Sequence, residues 1–287
     1  LMYQKRSAWV LTGLAPNPGP ITGLPTAKST FYGKPVPDYY VKGSGTTNTI
    51  GIPFFTLNSV MFDLTDKATG YTPFFVTTAN LDTTGGPLTV TKDNVPLGLA
   101  GIISGSGGVT IDKGGSAQLS AINTYTGPTQ INGVTGDQGI LLISGLGSIA
   151  ASSYVESNGV FDISRAWAPV SITDLRGTGQ VNLGGKNLTI TDGKSTFSGN
   201  IVDGGEYQVA GGSVTIAGGT QTFAGQNTYT GGTYLSGSST LNLTGSMIGN
   251  LTIAPGATFN TNGNYSTGSG STLINAGSFN SPSGIGF

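Results

Sequence analysis

The sequence predicts an all-β protein built as a parallel β-helix, with a less regular β-rich segment at its N-terminus. Short apolar–polar–apolar triplets recur along most of the chain, and glycine, asparagine or aspartate follows almost every one. The motif Asn-Thr-Tyr-Thr-Gly-x-Thr occurs twice, at residues 123–129 and 227–233, an offset of 104 residues between Asn123 and Asn227. At roughly 20–25 residues per turn, this offset corresponds to four or five turns of a solenoid.

The composition favours a folded chain with a large apolar interior. Glycine accounts for 49 of the 287 residues, charged residues make up only 9%, and the mean hydropathy is slightly positive. Disordered chains combine high charge with low hydropathy, so this balance argues against disorder. Glycine and asparagine adopt turn conformations at low cost, while threonine and valine suit strands.

Charge and hydropathy also restrict the partners that we expect. The net charge is −1 and the basic residues form no block, which argues against nucleic acid because phosphate neutralisation needs clustered Lys and Arg. No apolar run reaches the ~18 residues of a membrane-spanning helix. Leu1 is not followed by the apolar core of a signal peptide, so we expect a mature fragment of a longer protein.

Residues 1–99 are interpreted as a separate N-terminal segment, either a β-rich cap or a diverged part of the β-helix. Residues 1–45 are rich in proline, which removes backbone donors and favours loops. The part that follows contains short apolar runs bounded by Pro, Asp and Gly. These runs predict strands at residues 54–57, 60–64, 74–76 and 88–91.

Residues 100–287 are interpreted as the β-helix proper, because the triplets become regular there. An apolar–polar–apolar triplet is the period-two pattern of a strand with one buried face. Short strands at this spacing also occur in sandwiches and barrels. The repeated motif and the scarcity of Asn-Gly and Asp-Gly hairpin turns favour a solenoid. The strands are predicted at 109–111, 130–131, 140–143, 160–163, 181–183, 188–190, 214–216, 241–243, 251–253 and 273–274.

The repeated motif and its flanks resemble the autotransporter-associated β-strand repeat. Ile-Ser-Gly-Ser-Gly-Gly-Val-Thr at residues 103–110 precedes the first copy of the motif, and the glycine-rich residues 218–225 precede the second. The triplet at 241–243 follows the second copy, and residues 145–190 are similar to the segments that lie between such repeats. The likeness covers roughly residues 100–260.

The resemblance implies a passenger of a type V secretion autotransporter, folded as a right-handed parallel β-helix. It implies a surface-displayed or secreted stalk on a Gram-negative bacterium, adhesive or self-associating. Its partners would be host cell-surface or extracellular-matrix molecules, or like passengers on neighbouring cells. The C-terminal membrane barrel of the family is missing from this chain, and residues 1–100 match the repeat poorly. A non-catalytic spacer of a secreted enzyme, such as a subtilase-type autotransporter, is the alternative function.

Catalysis is not expected. The chain contains no histidine and no cysteine, which excludes a Ser-His-Asp triad and thiol catalysis within it, and no cofactor or metal is expected. A polysaccharide-degrading β-helix stays as a further alternative, since glycoside cleavage needs two facing carboxylates. The carboxylates after residue 100 are scattered among turn positions, where Asp is common for local reasons. They are Asp112, Asp137, Glu156, Asp162, Asp174, Asp192, Asp203 and Glu206.

Three short motifs have structural explanations that we prefer to functional ones. Gly-x-Gly-x-x-Ala at residues 145–150 matches a dinucleotide fingerprint, but no helix is predicted after it. The glycine-rich run 104–108 lacks the Lys-Ser/Thr of a phosphate loop. The glycosylation sequons that begin at Asn187, Asn242 and Asn250 coincide with predicted strands and turns.

Residues 165–169, Arg-Ala-Trp-Ala-Pro, are atypical in this chain of small polar residues. Trp and Arg are enriched in binding hot spots, and Arg176 lies nearby in the sequence. We favour the simpler interpretation that Trp167 packs a loop against the β-helix. No ligand-binding residue is therefore assigned from the sequence.

Overall fold

The computed structural model describes residues 76–92, 96–267 and 270–282 in full and, before residue 76, only the backbone of the strands. The chain forms two compact units, Leu1–Ala79 and Asn80–Phe287. Both are built from strands, and the described residues contain no helix. The prediction of an all-β fold is confirmed.

The first unit contains antiparallel strands. β1, β2, β7 and β8 pair in that order, and β3–β4 and β5–β6 form hairpins. β7, β8 and the later β10 account for three of the four strands predicted before residue 99, while residues 54–57 lie outside the described residues. The strands are β1 Met2–Lys5, β2 Ala8–Leu11, β3 Thr30–Phe31, β4 Lys34–Pro35, β5 Tyr40–Lys42, β6 Thr49–Gly51, β7 Val60–Asp63 and β8 Phe74–Thr77.

The second unit contains the remaining strands, and every strand predicted after residue 100 is present, with Leu183 one residue beyond its end. The strands are β9 Leu81–Asp82, β10 Leu88–Val90, β11 Leu97–Leu99, β12 Ile103–Ser104, β13 Val109–Ile111, β14 Ser116–Leu119, β15 Thr129–Ile131, β16 Gly133–Val134, β17 Asp137–Gln138, β18 Ile140–Gly145, β19 Val155–Ser157, β20 Val160–Ala166, β21 Val170–Ile172, β22 Leu175–Arg176, β23 Gln180–Asn182, β24 Asn187–Ile190, β25 Thr196–Phe197, β26 Asn200–Val202, β27 Ser213–Ile216, β28 Thr220–Phe223, β29 Gln226–Asn227, β30 Gly232–Leu235, β31 Thr240–Leu243, β32 Ser246–Ile248, β33 Leu251–Ile253, β34 Thr258–Thr261, β35 Asn264–Ser266, β36 Leu273–Asn275 and β37 Ser278–Asn280.

The strands of the second unit stack into a parallel β-solenoid of about ten turns with three faces. Face 1 contains β9, β12, β21, β24, β27, β30, β33 and β36. Face 2 contains β10, β13, β15, β19, β22, β25, β28, β31, β34 and β37. Face 3 contains β11, β14, β18, β20, β23 and β26, and then β29, β32 and β35. Paired residues on successive turns are 18 to 26 positions apart in the sequence. The antiparallel hairpin β16–β17 is an excursion from this stack.

The stack already includes residues that the sequence assigned to the N-terminal segment. β9, β10 and β11, all before residue 100, pair in parallel with β12, β13 and β14. Parallel pairing therefore already includes Leu81, whereas β1–β2, β2–β7 and β7–β8 pair antiparallel.

The interior is filled by columns of apolar side chains, one residue from each turn. On face 1 the column runs Ile172, Ile190, Ile216, Leu235 and Ile253, and each is at most 1% exposed. The middle residue of each triplet points outward, which explains why threonine and asparagine alternate with aliphatic residues. Burial of an aliphatic side chain contributes about 1.5–3 kcal/mol, so these columns are the main source of stability.

A column of glycines marks the corner between face 2 and face 3. A Cβ on Gly199 would lie 1.9 Å from the carbonyl oxygen of Gly179, and a Cβ on Gly225 would lie equally close to that of Gly199. The same contact recurs along the column, which contains Gly139, Gly159, Gly179, Gly199, Gly225, Gly245 and Gly263. The backbones of successive turns therefore approach too closely for any side chain at this corner.

The repeated motif forms a corner of the solenoid that bonds to the turns on both sides. Asn123 accepts a hydrogen bond from the Ile103 amide and donates to the carbonyls of Ala121 and Ser148. Asn227 makes the same three bonds, to the backbone of Ile201, Gly225 and Ser246. The first copy lies between β14 on face 3 and β15 on face 2, whereas the second copy begins in β29 on face 3 and leads into β30 on face 1.

Candidate functional site

The prediction that Trp167 packs a loop against the solenoid is wrong, because its side chain is 77% exposed. Trp167 directly follows β20, and its amide donates to the Gly145 carbonyl at 2.8 Å. β20 contains one more residue than β18 between two paired positions, since Leu142 pairs with Asp162 but Ser144 pairs with Arg165. Such a bulge re-aims the side chains that follow it.

The loop 203–212 folds back onto β20 from two turns further along. The Glu206 amide donates to the Asp162 carboxylate at 3.0 Å, and the Tyr207 amide donates to the Ser164 hydroxyl at 3.1 Å. Asp162 is 6% exposed and also accepts from the Ser164 amide. A buried carboxylate needs such donors, so Asp162 anchors the loop.

The base of the same loop is closed by Asp203. Its carboxylate accepts hydrogen bonds from the amides of Gly211, Gly212 and Thr230 and from the Thr230 hydroxyl at 2.6 Å. Thr230 belongs to the second copy of the motif, so the motif helps to hold the loop. With both ends bonded to the solenoid, the loop presents its outer side chains in a fixed arrangement.

Arg165 connects the loop to the surface around Trp167. Its Nη1 lies 3.1 Å from Glu206 Oε1 and 3.2 Å from Oε2, and its guanidinium lies 5.5 Å from the ring centroid of Tyr207. Tyr207 is 54% exposed, and Leu146, the residue after β18 on the turn before Trp167, is 61% exposed. We call this surface, formed by Leu146, Arg165, Trp167, Glu206 and Tyr207, the aromatic corner.

The aromatic corner combines exposed apolar side chains with the ion pair of Arg165 and Glu206, whose opposite charges neutralise each other. Exposed apolar groups that lie near one another often mark a surface that contacts another molecule. Sequence reasoning identified Arg165 and Trp167 as atypical but missed Tyr207 and Glu206. The loop that carries Glu206 and Tyr207 could have been inferred from one spacing in the sequence. Leu188 and its partner Val214 are 26 residues apart, which is long for a turn of this solenoid and requires an extra loop.

Three of the eight acidic residues after residue 100, Asp162, Asp203 and Glu206, belong to the loop 203–212 and its anchor, and the other five lie elsewhere. Asp174 accepts from the Lys194 amide, the Ser195 hydroxyl and Arg176. Glu156 accepts from Asn158, Asp112 accepts from the Lys113 amide, and Asp192 pairs with Lys194. Asp137 lies in the hairpin β16–β17. No group of three acidic residues that could hold a metal ion is found in the described part of the chain.

The two glycine-rich motifs and the three glycosylation sequons lie in the regular stack of strands. Residues 145–150 end β18 and turn into the next face, with Ile149 buried. Gly107 packs against the Thr83 carbonyl of the previous turn. Asn187 and Asn242 lie in β24 and β31 and bond to Ser213 and Asn260, while Asn250 accepts from the Thr272 amide.

The described residues define a parallel β-solenoid protein with exposed aromatic side chains at Trp167 and Tyr207. The described part of the chain contains no helix that is long and apolar enough to cross a membrane. Comparison with protein families, curated proteins and solved structures gives no match. The likeness to the autotransporter repeat thus rests on the motifs of the sequence.

Proposed function

We propose that this chain is a passenger fragment of an autotransporter, displayed on a bacterial surface or secreted. It acts as a rigid β-solenoid stalk with an adhesive or self-associating surface, and the aromatic corner forms part of that surface. The exposure of Trp167 on a loop platform anchored by the buried Asp162 is the observation that carries the proposal.

The stack supports the role of a stalk. Each turn is held to the next by parallel backbone pairing, interior columns and outer ladders such as Asn242–Asn260–Asn280, whose side-chain amides bond at 2.8 and 2.7 Å. In a solenoid each turn contacts only its neighbours, so the stack grows along one axis.

The aromatic corner supports the role in adhesion. Trp, Tyr and Arg dominate binding energy at protein interfaces, and they do so best when a rigid platform spares the cost of ordering them. The partners that we propose are host cell-surface or extracellular-matrix molecules, or the same passenger on a neighbouring cell.

The alternative function is a non-catalytic spacer for an enzyme domain outside this chain. The bonding of Asp162, Asp174 and Asp203 to backbone amides at turns favours this spacer over a catalytic β-helix. A spacer needs the stack but does not need Trp167.

The two functions are separated by the binding of the purified chain to host cells and matrix proteins and by its sedimentation as a function of concentration. For the adhesive stalk we expect saturable binding or self-association that Trp167→Ala with Tyr207→Ala weakens by about tenfold or more. Val134→Ala, which truncates an exposed apolar residue in the β16–β17 hairpin, is the matched control. If the chain shows neither binding nor self-association above the level of an unrelated β-solenoid, adhesion is rejected in favour of the spacer.

A further inference from the structure

The outer surface of face 1 contains a shallow groove of about 430 Å³. It crosses five successive turns, from β24 to β36, and we call it the face-1 groove, lined by Asn187, Ser213, Gly232, Tyr234, Asn250 and Thr252. Neighbouring strands are ~4.8 Å apart, so five strands span ~19 Å, the length of a short linear oligomer.

The depression exists because one outward position has no side chain. Asn187 pairs with Ser213, and Ser213 pairs with Gly232, so the column of polar side chains is interrupted at Gly232. Gly232 has φ +91, and a Cβ there would lie 2.8 Å from the Cβ and the carbonyl oxygen of Asn250. Both the backbone conformation and the neighbouring turn require glycine at this point.

An exposed aromatic ring lies beside the depression. Tyr234 is 43% exposed and stands between Thr215 and Thr252 in the register of the sheet. Its hydroxyl has no hydrogen-bond partner among the described residues, unlike the buried tyrosines of the motif. Ile274, which is 55% exposed, follows two turns beyond Tyr234 along the same column.

The two copies of the repeated motif differ at the positions that build the groove. The first copy has Pro128 and Gln130 where the second has Gly232 and Tyr234. Gln130 lies within hydrogen-bond distance of Glu156 on the next turn, so that copy covers its surface with a polar pair. The second copy leaves an opening and an aromatic ring in its place.

The chemistry of the lining indicates the class of ligand. The lining residues include no charged side chain; they offer hydroxyls, side-chain amides, an aromatic ring and an aliphatic side chain. The Thr272 amide donates to the Oδ1 of Asn250, which fixes the orientation of this side-chain amide beside the groove. A neutral sugar presents equatorial hydroxyls for such polar groups and a face of C–H groups for an aromatic ring, whereas a phosphate or uronate would find no cation.

We propose that the face-1 groove binds a neutral linear oligosaccharide, with Tyr234 stacking on a sugar ring and the polar column bonding to its hydroxyls. Cleavage is not part of the proposal, since glycoside hydrolysis needs two carboxylates and the described lining contains none. The site does not depend on the adhesive role of the aromatic corner, which uses other residues.

Calorimetric titration of the full chain with neutral hexaoses tests the proposal. The probes are cellohexaose, xylohexaose, maltohexaose and chitohexaose, with a galacturonic acid hexamer as the charged control. We expect at least one neutral probe to bind, and Tyr234→Ala to weaken that binding by about tenfold or more. Tyr234→Phe keeps the ring and retains most of the affinity.

Tyr207→Ala is the matched control, because it removes an exposed tyrosine from the aromatic corner and leaves the groove intact. Binding that survives Tyr234→Ala but is lost with Tyr207→Ala would move the sugar site to the aromatic corner and overturn the proposal. Absence of binding by every neutral probe, or preference for the charged hexamer, would also overturn it. None of these outcomes decides whether the chain adheres through Trp167.

Discussion

The hydroxyl of Tyr229 lies 2.5 Å from the Oγ1 of Thr233, and both side chains are buried within the solenoid. Tyr125 and Thr129 form the equivalent pair in the first copy at 2.7 Å. A tyrosine and a threonine four residues apart thus satisfy each other's polar groups across a corner. The second pair also contacts Met247 Sδ, at 3.2 Å from Tyr229 and 3.1 Å from Thr233.

Removal of the Tyr229 hydroxyl is expected to destabilise the solenoid more than removal of the Tyr125 hydroxyl. Tyr229→Phe leaves Thr233 with only a weak sulfur partner and costs about 1 kcal/mol. Thr129 keeps a bond to Ser152, so Tyr125→Phe costs less. Tyr229→Ala empties the position of a whole ring and costs roughly 3–5 kcal/mol. Guanidinium unfolding followed by circular dichroism measures the order, with the exposed Tyr207→Phe as control; equal effects of both Phe variants would contradict it.

The buried tyrosines predict a loss of stability at alkaline pH. Burial raises the pKa of Tyr265 to about 12 and raises the pKa values of Tyr125 and Tyr229 above their ordinary value. Since the folded state holds these protons more tightly than the unfolded state, their contribution is complete below pH ~10 and is lost as the pH rises further. Ionisation of the fully buried Tyr125 and Tyr229 lowers stability by up to about 1.4 kcal/mol per pH unit in that range, and the less enclosed Tyr265 contributes less.

Unfolding midpoints measured between neutral and strongly alkaline pH check this dependence. The part of the tyrosinate absorbance that comes from the buried tyrosines is expected to rise together with the loss of circular dichroism, because unfolding exposes their hydroxyls to solvent. Tyr265→Phe should make the alkaline decline shallower. Ionisation of all tyrosines near pH ~10 in a chain that stays folded would argue against the buried positions.

The glycine column predicts a large difference between two Gly→Ala substitutions. Gly199→Ala places a Cβ against the backbone of Gly179 and is expected to destabilise the chain by about 3 kcal/mol or more, because backbone cannot yield as a flexible side chain does. Gly85 has no atom within 4 Å of an added Cβ, so Gly85→Ala should change stability by less than about 0.5 kcal/mol. Similar unfolding midpoints for the two variants would refute the close approach of the turns.

The anchor of the loop 203–212 predicts a contrast between its buried and exposed carboxylates. Asp162→Asn weakens charge-assisted bonds to two backbone amides and is expected to cost about 1.5–3 kcal/mol. Glu206→Gln alters a pair whose side chains are 33% and 53% exposed, and it should cost less than about 1 kcal/mol. Limited proteolysis gives the local measurement: cleavage in the loop should accelerate in Asp162→Asn and stay close to wild type in Glu206→Gln.

The sequence predicted the strands and the solenoid because both depend on local pattern. The alternation of apolar and polar residues in a triplet such as Leu188–Ile190 predicts a strand from the triplet alone, and the motif that begins at Asn227 indicates a corner. The direction of Trp167 depends instead on the bulge between β18 and β20, which appears only once the two strands are aligned. A repeat of apolar residues shows that strands stack, but it does not show where one turn gains an extra residue.

The contacts of the aromatic corner could not be read from the sequence for a similar reason. Glu206 and Arg165 are 41 positions apart and meet across an intervening turn. The glycine column was hidden as well, since its members are separated by turns of 18 to 26 residues and disperse among the 49 glycines of the chain. The face-1 groove depends on the differences between the copies at Gly232 and Tyr234, whereas the family likeness depends on what the copies share.

The two copies of the motif occupy different corners, and this has a consequence for how such a chain can lengthen. The side chains of Asn123 and Asn227 each form hydrogen bonds to the turn before and to the turn after. A corner of this kind therefore carries its own stabilising bonds and can occur at more than one position around the solenoid axis. Insertion of a single corner with one strand would rotate every later surface to the next side of the column. The number of corners therefore sets the rotational position of a distal surface about the solenoid axis, and the number of turns sets its distance along that axis.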